Sequence, residues 1–300
     1  MSTQQRPKEQ SPGQASPQTG KRRRLRFSPT RSQESVDFDT KKLRSRYGHF
    51  FAPQYEHWNE FYANFAATWN SDPEYGAEHV IVVGQAGSGK TTLARELLQA
   101  RDYVIVLGTK TRDPSLYDPL LKQGYTLQDN FDPTDLKHPK VIFRPPLDEP
   151  TVEALTRQRR AFREALLGIF NTGGWSIFCD ELRYLTDTLK LNHEMDLLWL
   201  QGRSLWITII GLTQRPVSVP LNAFEQATHF FLFRISGLND RKRASEYTGT
   251  NAPVVFETVK ALPHHEFLYV DKTHDELVRS RVERTKSSGS QSGNPEPSPE

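Results

Sequence analysis

At 300 residues and 34.4 kDa, with 36% hydrophobic and 11% aromatic residues, the chain can bury a sizeable core in one large or two small domains. No apolar run reaches the roughly 18–20 residues that span a bilayer, the N-terminus is polar and then basic rather than a signal peptide, and a single cysteine, Cys179, excludes an intrachain disulfide framework and fits a reducing compartment. The net charge of +3 divides unevenly: twelve Lys or Arg against four Asp or Glu give residues 1–50 a charge of +8, which leaves −5 for the remainder.

Residues 1–45, rich in Ser, Pro, Gln and Arg, are expected to form a disordered basic tail. Its run Lys21-Arg22-Arg23-Arg24-Leu25-Arg26 fits a solvated tail, a phosphate contact or a targeting signal. In residues 46–75, Phe51, Tyr55, Trp58, Tyr62, Phe65 and Trp69 recur at intervals of 4, 3, 4, 3 and 4, which puts them on one face of a helix beginning near Pro53. That face is expected to pack on the core; docking of a partner and base stacking are the alternatives, the last weakened by the lack of interleaved basic residues. Residues 76–285 then alternate strand and helix. Strands are predicted at His79–Val83, Tyr103–Leu107, Val141–Phe143, Ser176–Cys179, Trp206–Gly211, His229–Arg234 and Phe267–Val270. Helices are predicted at Lys90–Ala100, Val152–Phe170, His193–Gln201, Leu221–Gln226 and Asn239–Glu246. Short apolar strands separated by helices predict an α/β fold, a mostly parallel sheet with helices on both faces. Residues 286–300 are expected to form a second disordered tail.

Gly84-Gln85-Ala86-Gly87-Ser88-Gly89-Lys90-Thr91 matches G-x-x-x-x-G-K-[ST], preceded by the apolar strand HVIVV and followed by the helical TTLARELLQA. Glycines let such a loop wrap its N–H groups around phosphates, and the dipole of the helix that follows through Thr92 adds to the attraction. Lys90 would reach the β- and γ-phosphates of ATP, and the Thr91 hydroxyl would ligate Mg²⁺. Ninety residues after Lys90, the strand Ser176–Cys179 ends in Asp180-Glu181. Asp180 would hold the magnesium, and Glu181 would polarise an attacking water. A third apolar strand, opened by Gly202-Arg203, ends in Thr213-Gln214-Arg215-Pro216. Ligands sit at the carboxyl ends of parallel strands, so Gln214 would face the γ-phosphate. Arg203 begins the same strand at the opposite edge, where it would stabilise charge on a neighbouring subunit's ATP or simply cap the preceding helix.

These residues resemble the HerA/FtsK superfamily of DNA-pumping ATPases, which includes the genome-packaging ATPases of tailless viruses and of phages with internal membranes. The likeness lies in the P-loop, the acid pair Asp180-Glu181, Gly202-Arg203 and Thr213-Gln214-Arg215-Pro216, and it covers about residues 79–271. It implies a P-loop NTPase fold of the RecA-like, additional-strand class. It implies Lys90 and Thr91 on phosphate and magnesium, Asp180 and Glu181 as the Walker B pair, Gln214 as sensor and Arg203 as a trans-acting arginine finger. It further implies a homo-oligomeric, hexameric ring that threads double-stranded DNA, a capsid or portal-vertex partner, and a place in the host cytoplasm or on the virion.

Two departures stand out: Trp206 occupies a position that is often small in the family, and Leu107-Gly108-Thr109-Lys110 replaces the familiar acid after the second strand. No membrane-spanning or DNA-reading accessory domain is expected in the short span between the N-terminal tail and the first strand. Arg234 is a second phosphate-sensor candidate or an ordinary strand-end charge. Arg241, Lys242 and Arg243 are expected on a solvated helix face, with DNA-backbone contact as the alternative. His264 and His265 read as loop residues without a metal-ligand pattern. An ATPase that moves protein in secretion or phage assembly, and a nucleotide-gated interaction protein, are the competing functional readings.

Overall fold

The apolar runs predicted as strands all lie in one sheet. The computed structural model describes residues 53–70, 76–147, 149, 151–249 and 252–283. Both expected tails, the basic run Lys21–Arg26 and Phe51 lie outside the described residues. Among those described, the strands are β1 (Gln54–Tyr55), β2 (His79–Val83), β3 (Val104–Leu107), β4 (Thr126–Gln128), β5 (Lys140–Phe143), β6 (Ser176–Cys179), β7 (Thr208–Thr213), β8 (Ala227–Phe233), β9 (Glu266–Asp271) and β10 (Glu276–Arg281). Their order is β1-β10-β9-β8-β2-β7-β6-β3-β5-β4. The seven strands from β8 to β4 are parallel, β9 and β10 form an antiparallel extension, and β1 adds in parallel at the edge.

Because side chains alternate along a strand, each central strand feeds two cores. Val80 and Val82 face the helices α1 (Trp58–Thr68), α2 (Lys90–Gln99) and α3 (Pro114–Lys122). Ile81 and Val83 face α4 (Val152–Thr172), α5 (Asn192–Gln201), α6 (Leu221–Gln226), α7 (Leu238–Tyr247) and α8 (Ala252–Ala261). Both faces are therefore covered, as runs such as HVIVV and SIFC require.

The aromatic face of α1 is part of the first core. Trp58, Phe61, Phe65 and Trp69 are buried, with the Phe61 ring 5.1 Å from Tyr269 and the Phe65 ring 5.5 Å from Phe231. Tyr62 is half-buried and donates its hydroxyl to the Glu96 carbonyl on α2 at 2.7 Å. No helix begins at Pro53: Gln54 and Tyr55 instead pair with Val278 and Arg279, because the free edge of β10 offers unpaired backbone groups that an extended segment satisfies. Strand β7 starts two residues later than predicted. Trp206, at φ +58°, closes the one-turn 3₁₀ helix Gly202–Leu205 and holds the strand back to Thr208.

At the amino end of β2, His79 is fully buried; its Nδ1 accepts from the Ile209 N–H at 3.0 Å, and its ring stands edge-on to Trp199. Burial first, and the Arg203 charge second, push its pKa from 6.5 down to about 3. Above pH 6.5 both folded and unfolded states carry the ring neutral; between 6.5 and 3 only the unfolded state takes up the proton. Stability should therefore fall by about 1.4 kcal/mol per pH unit as acid is added below the unfolded value. Thermal melts between pH 7.5 and 5 should show this slope, and His79→Asn, which keeps an acceptor for Ile209, should flatten it.

Candidate nucleotide site

Four strand ends meet at the carboxyl edge of the sheet: β2 delivers Gly84, β7 Gln214, β6 Asp180 and β3 Lys110. Strand β7 lies between β2 and β6, and its Thr213 carbonyl accepts from the Gly84 N–H at 3.2 Å. The exposed Gln214 thus starts beside the first residue of the loop, at the end of the strand that separates β2 from β6.

The loop is shaped by its glycines. Gly84 lies so close to Phe233 and Ser88 that a Cβ would come within 2.7 and 2.6 Å of them. Gly89 caps α2 at φ +108°, a conformation side chains resist. Lys90 folds its ammonium onto the loop, donating to the Gly84 carbonyl at 2.7 Å and the Gln85 carbonyl at 2.9 Å. Burial lowers its pKa, against the opposing pull of Asp180 and Glu181, so all three charges share one space. Ala86, Gly87 and Ser88 form the mouth of the loop, and Thr91 and Thr92 lie in the first turn of α2, where N–H groups are unpaired.

Glu181 follows Asp180 and is half-buried; burial, then the Asp180 charge, raises its pKa, while Lys90 and Lys110 pull it back. Asp180 accepts from Lys110 Nζ at 2.5 Å. A cation therefore already sits on this carboxylate; the Asp180 carboxylate and the Thr91 hydroxyl are hard oxygen donors of the kind that would suit magnesium.

Arg203 stands elsewhere. It lies in the 3₁₀ turn before β7, and the six residues of that strand put about 20 Å between it and the carboxyl edge. Its Nε donates to the Ala77 carbonyl at 3.1 Å. Arg234 is exposed just past Phe233, beside the loop. Arg241 and Arg243 do not line a solvated face: Arg241 donates to the Ile235 and Ser236 carbonyls and covers Phe256, and Arg243 reaches Val219 and covers Tyr247.

Several residues of the site escaped the sequence reading. Lys110 and Asp113 are joined at 2.9 Å above Asp180. His265, at φ +67°, donates through Nδ1 to the Ser88 carbonyl at 3.1 Å. Ser236 likewise accepts from the side-chain amide of Gln85, the loop residue the motif had already named.

No family model and no curated protein matches this sequence. Solved structures do. VirB4 of Thermoanaerobacter pseudethanolicus superposes with a TM-score of 0.53 at 10% identity, over 73% of this chain and 93% of that one. The genome-packaging NTPase B204 of Sulfolobus turreted icosahedral virus 2, solved with AMP, superposes with a TM-score of 0.50 at 19% identity, over 67% of this chain and 96% of that one. The strand order and these likenesses define a P-loop NTPase fold of the additional-strand class.

Proposed function

We propose that this chain is an ATPase that works as a ring of identical subunits and moves double-stranded DNA, serving the packaging of a viral genome. The observation that carries the ATPase reading is the insertion of β7 between β2 and β6, which aligns Gln214 with Lys90, Asp180 and Glu181 along one edge. In this reading the loop amides and Lys90 hold the phosphates. Glu181 accepts the proton of the attacking water. Gln214 contacts the γ-phosphate and reports its loss. Thr91 and Asp180 would hold Mg²⁺, which would supply positive charge against the phosphates. Arg203 of the partner subunit supplies the remaining positive charge.

Movement of DNA rests on the Thr213-Gln214-Arg215-Pro216 and Gly202-Arg203 pattern, on the fold shared with a genome-packaging NTPase, and on the +8 charge of the first fifty residues. A capsid or portal-vertex protein would then be a natural second partner, in the host cytoplasm or on the virion. Among the described residues no helix is long and apolar enough to cross a membrane.

The test is the ATPase rate against duplex DNA concentration, at protein concentrations that span assembly. Stimulation that emerges only once oligomers form supports the motor. A flat response would overturn the DNA reading in favour of an ATPase that moves protein or a nucleotide-gated adaptor.

A further inference from the structure

The departure after the second strand turns out to shape the site. Lys110 enters the space where Asp180 would meet a metal, and its ammonium bridges two carboxylates from different parts of the chain: Asp180 at 2.5 Å and Asp113 at 2.9 Å. Both carboxylates are nearly buried, with side chains 11% and 12% exposed, whereas the lysine is 50% exposed. The Lys110 backbone is pinned, since its carbonyl accepts from the Tyr117 hydroxyl at 2.9 Å and the next carbonyl, that of Thr111, accepts from Arg144 at 2.8 Å. Any rearrangement is therefore confined to a flexible four-carbon stem with an open path to solvent. Asp113 is anchored by its other oxygen, which accepts from the Leu116 N–H and the Ser115 hydroxyl as the cap of α3. The carboxylate that must change partner on loading is thus Asp180.

We propose that Lys110 is the resident counter-cation of this site: its ammonium holds Asp180 to Asp113 until nucleotide and metal enter, then yields Asp180 and stays on Asp113. This rests on the nucleotide-site reading above. Two nearly buried carboxylates facing one space need a cation, and Lys110 supplies it before the metal does. The exchange sets a threshold for magnesium, because every loading event must break the Lys110–Asp180 pair. It also ties α3 to the strand end of β6 through Asp113 in the unloaded state and releases that tie on loading.

The prediction has opposite signs at two positions. Lys110→Met removes the competing ammonium and should lower the Mg²⁺ concentration for half-maximal nucleotide binding by about threefold or more, the scale of a partly exposed ion pair. Asp113→Asn leaves the ammonium with Asp180 alone and should raise that concentration by a similar factor, while its amide oxygen keeps the α3 cap. The measurement is equilibrium binding of a fluorescent, non-hydrolysable ATP analogue to the full chain across a Mg²⁺ series, with circular dichroism to check folding. Unchanged Mg²⁺ dependence in both variants, or a shift of the same sign in both, overturns the proposal. Should Lys110→Met fail to fold, the direction of the shift in Asp113→Asn decides alone. Wild-type protein that binds no analogue at any Mg²⁺ concentration would overturn the nucleotide-site reading and this proposal with it. Binding with unaltered Mg²⁺ dependence would overturn the role of Lys110 only.

Discussion

Glu181→Gln is expected to lower ATP turnover by about 10²–10⁴-fold, the contribution of a positioned general base, and to leave nucleotide affinity within a few-fold of wild type. The substitution is isosteric. The carboxylate of Glu181 accepts a backbone bond from Arg183, and the amide oxygen of glutamine can keep that bond, so the local fold survives. What is lost is the capacity to take a proton. Glu181 suits that task because burial and the adjacent Asp180 raise its proton affinity, while Lys90 and Lys110 keep it from rising without limit. Asp180 cannot substitute, because its carboxylate is tied to Lys110 and would be claimed by the metal on loading. Nucleotide retention on gel filtration beside steady-state phosphate release checks the outcome: the variant should trap unhydrolysed ATP. A variant that keeps more than a tenth of the wild-type rate would show that Glu181 is not the base, and that Asp180-Glu181 is only a favourable acidic start to the segment after β6.

The residues of this site differ in how far they could be read from the sequence, and the difference follows the range of the interaction that places them. The P-loop is a local signal: one strand, glycines that satisfy a tight turn and close approach, and one helix, all within about twenty residues. The Asp180-Glu181 pair is nearly as local, since an apolar strand ending in acids is visible without its neighbours. Lys110 is not. Its position over Asp180 depends on β3 pairing with β6 in the register that sets Leu107 beside Cys179, a contact between segments 72 residues apart, and the local text Gly-Thr-Lys shows only a charge after a strand. Strand β10 carries Glu276, Arg279 and Arg281 among its six residues and lies next to the edge strand β1, so it has no apolar run to announce it. The helix Ala252–Ala261 holds four β-branched residues in ten and gives an ambiguous pattern; packing of Val254, Val255 and Val259 into the core decides it. Arg241 and Arg243 looked solvent-facing because helical spacing says nothing about aromatic rings contributed by other helices, as Phe256 is for Arg241 and Phe224 for Arg243.

Arg203→Ala is expected to reduce turnover by about 10³-fold or more, the scale of a lost arginine finger, with nucleotide affinity retained and activity recoverable only across a subunit boundary. The topology keeps Arg203 away from the phosphate loop of its own chain. Chain that leaves the carboxyl edge at Glu181 must return to the amino edge before β7 can run parallel to β6, and α5 and the Gly202–Leu205 turn make that return. Arg203 therefore stands a strand's length from its own phosphates, whatever its rotamer. The two inactive variants can be mixed. In a ring assembled from Arg203→Ala and Glu181→Gln subunits, some sites combine an intact glutamate with an intact arginine from the next subunit. Head-to-tail rings formed at random from equal amounts would carry about a quarter of such sites, so two nearly dead proteins should give a measurable rate together. Mixtures that stay as inactive as their components would place the role of Arg203 within its own subunit. There its bond to the Ala77 carbonyl holds the entry to β2, and Arg203→Ala should then show its largest effect in the melting temperature rather than in turnover.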